Sequence, residues 1–256
     1  MRVKDKIVSW FIRNVILPRQ ENIDISGYIT EEITEEGKRF KIRDIGLPES
    51  LFIDLERLIN KKYKETGCKI LYSIGKKFSY RYGIILNLPT VKTISEKKFI
   101  SFTNFLIKYL EAVYAKRISY EMSIEEGILK LYMDCYIVCS KNGLGYIMTS
   151  GRMNGIWAYA LQDSTVEGVQ IKCQGKGDAE CEVICAPAKV LKKMGLKFFE
   201  ERNLEGLELD KKYLEINKIR PTKYAKNSLK NLIDSGFFEY KHGIISFKGE
   251  RFLRNI

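Results

Sequence analysis

A single histidine, His242, is present in 256 residues, and that scarcity removes whole classes of chemistry. A Ser-His-Asp triad or a multi-imidazole metal centre has no material before the last few dozen residues, so acid-base work there would fall to carboxylates, tyrosines or lysines. Long apolar runs are also lacking. The longest candidate, Ile7–Pro18, is interrupted by Arg13 and Asn14 and falls short of the roughly 20 apolar residues a bilayer crossing needs. No small-residue cleavage site follows it, so the expectation is an unprocessed, cytoplasmic chain without a membrane span. Phosphate-cradling glycine loops are missing as well. Gly143-Leu144-Gly145 has no third glycine for a dinucleotide turn, and no G-x-x-x-x-G-K-(S/T) occurs. Internal repeats and low-complexity segments are absent, and helices and strands do not alternate as regular βαβ units, which argues against a doubly wound sheet.

What is present supports a folded core. A hydrophobic fraction of 45% is enough for one large or two modest domains, and we read residues 1–200 and 201–256 as separate units. The net charge of +12 points to an anionic partner, and it is unevenly spread. From Lys218 onward, 39 residues carry 9 Lys and Arg against 3 Asp and Glu, half of the whole surplus. The six cysteines, in a chain without a secretion signal, read as buried thiols or a metal cluster before a disulfide framework.

Periodicity sets out the elements. Val3, Ile7, Val8, Phe11, Val15 and Ile16 recur at helical spacing up to Pro18, as expected of a core or dimer helix. Ile23–Ile29 and Arg39–Ile45 read as strands joined through the polar stretch from Glu31 to Lys38. One helix opens at Pro48 and runs to Gly67, and a second covers about Ser95–Arg117. Residues 128–139 read as a central strand, 143–161 as a helix and Pro187 to about Glu201 as another. The fold class expected is α+β, an antiparallel sheet flanked by helices, with a small carboxyl-terminal module.

The densest motif is Gln170-Ile171-Lys172-Cys173-Gln174-Gly175-Lys176-Gly177-Asp178-Ala179-Glu180-Cys181-Glu182-Val183-Ile184-Cys185. Two alternating runs meet at a Gly/Asp turn, giving a hairpin with Cys173 and Cys181 near its mouth. This segment resembles the C-x-(A/G)-x-G-(D/H)-x-x-C signature of the 4-vinyl reductase domain family, a predicted hydrocarbon-binding group. Ser150–Ala160 is similar to the small-residue and aromatic helix before that signature. Ile70–Gly75 with Tyr82-Gly83 is similar to an earlier Gly-punctuated helix of the family, so the resemblance covers about residues 20–190.

The resemblance implies a ligand-binding fold. Its aromatic-sensing members bind zinc through the two signature cysteines, a third cysteine and a glutamate, which places Cys173 and Cys181 as metal ligands. The glutamate position is Gln170 here, and the third cysteine, expected near Ile147–Ser150, is missing; Cys135, Cys139 or Cys185 would have to replace it. Zinc, a disulfide and free thiols all remain open at the hairpin. The resemblance also implies a cavity for a small apolar or aromatic molecule, lined by Phe78, Phe102, Phe105, Tyr109, Tyr146, Trp157 and Tyr159.

At the carboxyl terminus, Thr222–Ile233 reads as a helix and Phe237–Tyr240 pairs with Ile244–Phe247 across Lys241-His242-Gly243. Leu229, Leu232, Gly236, Phe237, Gly243 and Gly249 resemble the second half of a winged helix-turn-helix domain. Lys223, Lys226, Lys230, Lys241 and Lys248 would then face DNA phosphates. A basic subdomain that packs or dimerises without DNA stands beside that reading. The expected function is a dimeric ligand sensor, with a DNA-binding regulator as its fuller form and a scaffold subunit of the same fold as the alternative. Catalysis is the weakest reading.

Overall fold

The computed structural model describes residues 3–20, 22–23, 28–35, 38–45, 47–85, 87–139, 147–204 and 227–253. Helix α1 (Val3–Phe11) runs through a π turn at Ile12–Ile16 into α2 (Leu17–Gln20). Strands β1 (Asn22–Ile23), β2 (Tyr28–Glu35), β3 (Lys38–Ile45) and β4 (Leu47–Pro48) lead to α3 (Glu49–Ile85) and α4 (Glu96–Tyr114). There follow β5 (Arg117–Ser123), β6 (Ile128–Asp134), α5 (Ile147–Leu161), β7 (Val166–Lys172), β8 (Cys181–Pro187) and α6 (Ala188–Lys193). The chain ends in β9 (Asn227–Ser228), α7 (Leu229–Asp234), β10 (Glu239–Lys241), β11 (Ile244–Phe247) and β12 (Glu250–Leu253). This is an α+β protein, and its described strands form three four-stranded sheets.

Two compact units emerge: Phe52–Ile107 with Arg117–Glu208, and Met1–Leu51 with Lys108–Lys116 and Leu209–Ile256. The amino-terminal stretch therefore groups with the carboxyl-terminal one. Within the larger unit the sheet order is β5-β6-β8-β7, antiparallel throughout. Strand β6 alternates, burying Leu129, Leu131 and Met133, as a one-sided strand should. Strand β8 is buried along its whole length, between β6 and β7.

The glycines noticed in the sequence explain how α5 meets α3. A Cβ on Gly155 would stand 2.2 Å from Lys76 O, one on Gly151 2.3 Å from Tyr72 O, and one on Gly75 2.4 Å from Met148 O. Backbone lies against backbone, an approach no larger residue permits. Gly168 does the same for α5 on β7, since its Cβ would meet Ser150 O at 2.7 Å.

Between these elements sits a buried polar knot. Lys76 Nζ is 2.9 Å from Glu167 Oε1, both side chains fully buried. Tyr72 donates its hydroxyl proton to Glu167 Oε2 at 2.6 Å and accepts from Gly168 N–H and Asn154 Nδ2. Burial pushes the Glu167 carboxyl up, and the Lys76 ammonium only partly offsets it; burial lowers Lys76 and raises Tyr72. Glu167 Oε1 also accepts the Glu201 N–H at 2.9 Å, so the knot pins the extended stretch after α6.

Several sequence expectations shift. The helix expected to end at Gly67 continues to Ile85 after a break at Lys64, because Gly67 serves a close approach to Ile59 instead of a stop. The helix expected to reach about Glu201 ends at Lys193: Gly195 takes φ +70 and Leu196 N–H closes back on Leu191 O at 3.1 Å. The first hairpin is formed by β2 and β3, so Glu31–Glu35, expected to be connection, is strand. Pro18 does not stop the amino-terminal helix, since the π turn just before it has already displaced the hydrogen-bond ladder.

The smaller unit holds the other two sheets, β3-β2-β1-β9 and β10-β11-β12-β4. Arg13 closes the end of α4, donating from Nη2 to Glu111 O at 2.8 Å and Ala115 O at 2.9 Å. Tyr240 in turn donates to Arg13 O at 2.7 Å. Leu229 and Ile245 form a local core with Leu232, Ile233, Phe238 and Tyr240 around them. The terminal hairpin expected from the sequence is present, with Tyr240 opposite Ile245, and β12 extends it to a meander. The helix expected from Thr222 is helical over Leu229–Asp234; Asn227–Ser228 pair as strand with β1, and 222–226 lie outside the described residues.

Candidate metal centre and the adjoining cleft

The signature hairpin joins β7 to β8 through a short 3-10 turn at Gln174–Lys176. Gly177 adopts φ +100, the left-handed region that glycine fills at least cost. Asp178 accepts the Cys173 N–H at 2.7 Å, while Cys173 O accepts from Lys176 and Asp178 N–H groups. These bonds leave the Cys173 and Cys181 thiols at the base of the turn, both buried.

A β-bulge decides which face the thiols share. Gln170 lies opposite Val183, but Lys172 lies opposite Glu182, so Ile171 is the extra residue. In an unbroken strand Gln170 and Cys173, three apart, would point to opposite faces. The bulge shifts the alternation by one, so Gln170 and Cys173 come to the face of Val183 and Cys181. Lys172 falls on the other face and pairs with Glu182 at 2.7 Å.

The third thiol arrives from the loop after β6. Cys139 Sγ is 3.1 Å from Cys181 Sγ and 3.5 Å from Cys173 Sγ. The three sulfurs all lie within 4.8 Å of one another. To deliver Cys139, the loop bends through positive φ at Cys135 (53°) and Val138 (69°). A β-branched residue rarely occupies that region, and such strain gathers at functional sites. Gln174 holds the loop in place: its Oε1 accepts Cys135 N–H at 2.7 Å, and its Nε2 donates to Asp134 at 3.1 Å. The sequence had supplied Cys139 as one of three replacements for the missing helix thiol; the fold selects it. Cys185 points elsewhere in the core, where burial and then Glu167 raise its thiol pKa.

The cluster's protons are shared unequally. For Cys139 the hydrogen bond with Cys173 lowers the pKa, but that with Cys181 and burial outweigh it and push the thiol up to about 11. Cys173 is raised by its bond to Cys139 and by burial. Cys181, stabilised by the Cys139 S–H, is lowered and would be the first to ionise.

The donor set suits a soft, tetrahedral cation. Thiolates at the usual 2.3 Å from zinc stand about 3.8 Å apart, so the observed separations need only a slight spreading. Gln170 supplies the fourth side: its Nε2 donates to Cys139 Sγ at 2.8 Å and to Lys172 O at 3.0 Å, while its buried Oε1 has no hydrogen-bond partner. The amide thus turns its Nε2, a donor, toward the thiols at the position where the resemblance places a carboxylate. All six cysteines are free thiols.

Gln170 and Cys173 also border a cleft of about 250 Å³. Ile147, Val169, Ile171, Phe198 and Phe199 supply its apolar wall, and Lys172, Lys176, Lys197 and Asp178 its polar part. Sequence reasoning missed this lining; the adjacent aromatics Phe198-Phe199, just past a glycine stop, were the available signal.

The aromatic residues singled out in the sequence are placed differently. Trp157 is buried, donates to Gly127 O at 2.9 Å and packs against Phe99. Tyr159 donates to Leu88 O at 3.1 Å and meets Tyr80 edge-on. Phe78 and Phe105 are exposed, while Phe102 and Tyr109 are half-buried on α4. Tyr146 lies outside the described residues, and none of the other six lines this cleft. Of the lysines, Lys223 and Lys226 lie outside the described residues. Lys230 pairs with Asp234, Lys241 is exposed, and Lys248 lies over the Phe247 ring at 5.3 Å.

No described helix is long and apolar enough to cross a membrane. No family model matches the chain, and no curated protein matches it. Among solved structures it is similar to the crystal structure of the phenol-responsive sensory domain of the transcription activator PoxR with phenol. The similarity has a TM-score of 0.45 and 12% identity, covering 74% of this chain and 92% of that one.

Proposed function

We propose that the 52–208 unit is a ligand-binding sensor domain in which Cys139, Cys173 and Cys181 hold a zinc ion beside a small-molecule cleft. The observation that carries this reading is the convergence of three buried thiols, all within 4.8 Å of one another, with Cys173 bordering the cleft. Zinc there would tie β7, β8 and the loop after β6 together and thereby fix the cleft's floor. Gln170, whose Nε2 donates to Cys139 Sγ, borders the fourth position. Purified protein should carry one zinc per chain, lost in Cys173→Ser; a metal-free wild type that takes up no zinc would sink the reading.

The basic carboxyl-terminal segment supports a DNA-contacting output. Exposed Lys241 and Lys248 on the terminal meander, with the charge surplus after Lys218, favour it. Affinity for DNA at low salt, weakened by added salt and by Lys241→Ala with Lys248→Ala, is the expected result. The competing reading is a scaffold subunit, favoured by Ile7, Trp10 and Phe11, all exposed on α1. It requires a stable heteromeric complex and no response to DNA.

A further inference from the structure

We infer that the cleft beside Cys173 selects a small organic anion, a carboxylate on an apolar body of one or two rings, with Lys176 and Lys197 as its counter-charges. The inference rests on the ligand-sensor reading and adds the ligand's charge. Four charged side chains border the cleft, and two are already engaged. Lys172 is paired with Glu182 at 2.7 Å, and Asp178 accepts the Cys173 N–H at 2.7 Å. Lys176 and Lys197 make no ion pair with any described residue, and each comes from a different segment, the hairpin turn and the stretch after α6.

Two ammonium groups against the single carboxylate of Asp178 leave the rim net positive, and beside an apolar wall they make a complementary surface for an amphipathic anion. The body displaces water from Val169, Ile171, Phe198 and Phe199, while the carboxylate accepts charge-assisted hydrogen bonds at the rim. A neutral body of the same shape would gain only the first of these. The volume of about 250 Å³ sets the upper size. It lies below the range usual for drug-sized ligands, which excludes large conjugated molecules from full burial.

The stretch carrying Lys197 is also positioned for this role. It is held at Glu201 by the buried Glu167, and its Phe199 ring packs 5.9 Å from Tyr72. Lys197 is thus presented by a segment tied to the core at one end.

The test compares 2-naphthoate with its neutral isostere 2-naphthamide by titration calorimetry on the full, zinc-loaded chain. The acid should bind at least about tenfold more tightly than the amide. Salt should narrow that gap, because exposed charges are screened. The double reversal Lys176→Glu/Lys197→Glu should abolish the preference, the acid losing at least about tenfold more affinity than the amide; both side chains are exposed, so the fold is not at stake. Equal affinity for acid and amide, or a preference that survives the double reversal, overturns the anion assignment and leaves the small-molecule reading standing. Failure of the wild-type protein to bind either probe overturns both.

Discussion

Two polar clusters lie three residues apart on the same strand, and they are finished differently. Glu167 heads a knot in which Lys76, Tyr72, Asn154 and two backbone N–H groups meet its carboxylate or its hydroxyl partner. Gln170 heads a cluster of three thiols whose mutual hydrogen bonds are weak, and its own carbonyl oxygen is left without a partner. The first has nearly all its hydrogen-bonding capacity used inside the chain, with only Asn154 Oδ1 left over. The second leaves an acceptor unused beside three sulfurs within 4.8 Å of one another. Buried polar groups are normally satisfied, so the contrast separates a cluster whose bonds fasten the fold from one with bonding capacity to spare.

The sharpest way to break this comparison is Glu167→Gln. It strips the counter-charge from a fully buried ammonium and should cost about 3–5 kcal/mol in a denaturant titration. Gly155→Val comes next, because its side chain would meet the Lys76 backbone; overpacking of this kind costs about 1–3 kcal/mol. On the other cluster, Gln170→Ala should cost the metal-free protein only about 1 kcal/mol, while weakening zinc retention against a chelator. A Gln170→Ala loss as large as that of Glu167→Gln would erase the distinction. Lys172→Ala, at a cross-strand pair half open to solvent, should leave the denaturation midpoint almost unchanged.

Acidity sharpens the comparison further. The Cys139 thiol, raised to about 11, is protonated at neutral pH in the metal-free protein, so zinc uptake must release its proton. Chelator competition should therefore show apparent zinc affinity climbing from pH 6 to 9. The sign is opposite for the metal-free fold: the raised thiol contributes stability that is complete below its ordinary pKa and is lost as pH rises through about 11.

Local pattern conveyed much of this molecule. The period-two run of β6, the hairpin at Cys173–Cys181 and the terminal hairpin are local events, each encoded within a few residues. The helix ends were legible where glycine plays only one part. They misled where Gly67 serves packing and where Gly195, inside an apolar run, serves as a stop. Cys139 could be offered as a candidate but not chosen, since its position depends on left-handed turns at Cys135 and Val138 that no propensity favours. The cleft was hidden for a different reason. Its walls come from α5, β7 and the stretch after α6, and only tertiary assembly brings Ile147, Val169 and Phe199 together.

The glycine contacts between α3 and α5 have a mechanical consequence. At Gly75, Gly151 and Gly155 backbone meets backbone, and these positions carry no side chain that could rotate to let the helices part. That joint is a rigid axle. In the proposed sensor, any widening of the cleft to admit a guest would then fall to the stretch between Gly195 and the tether at Glu201, which carries Lys197, Phe198 and Phe199.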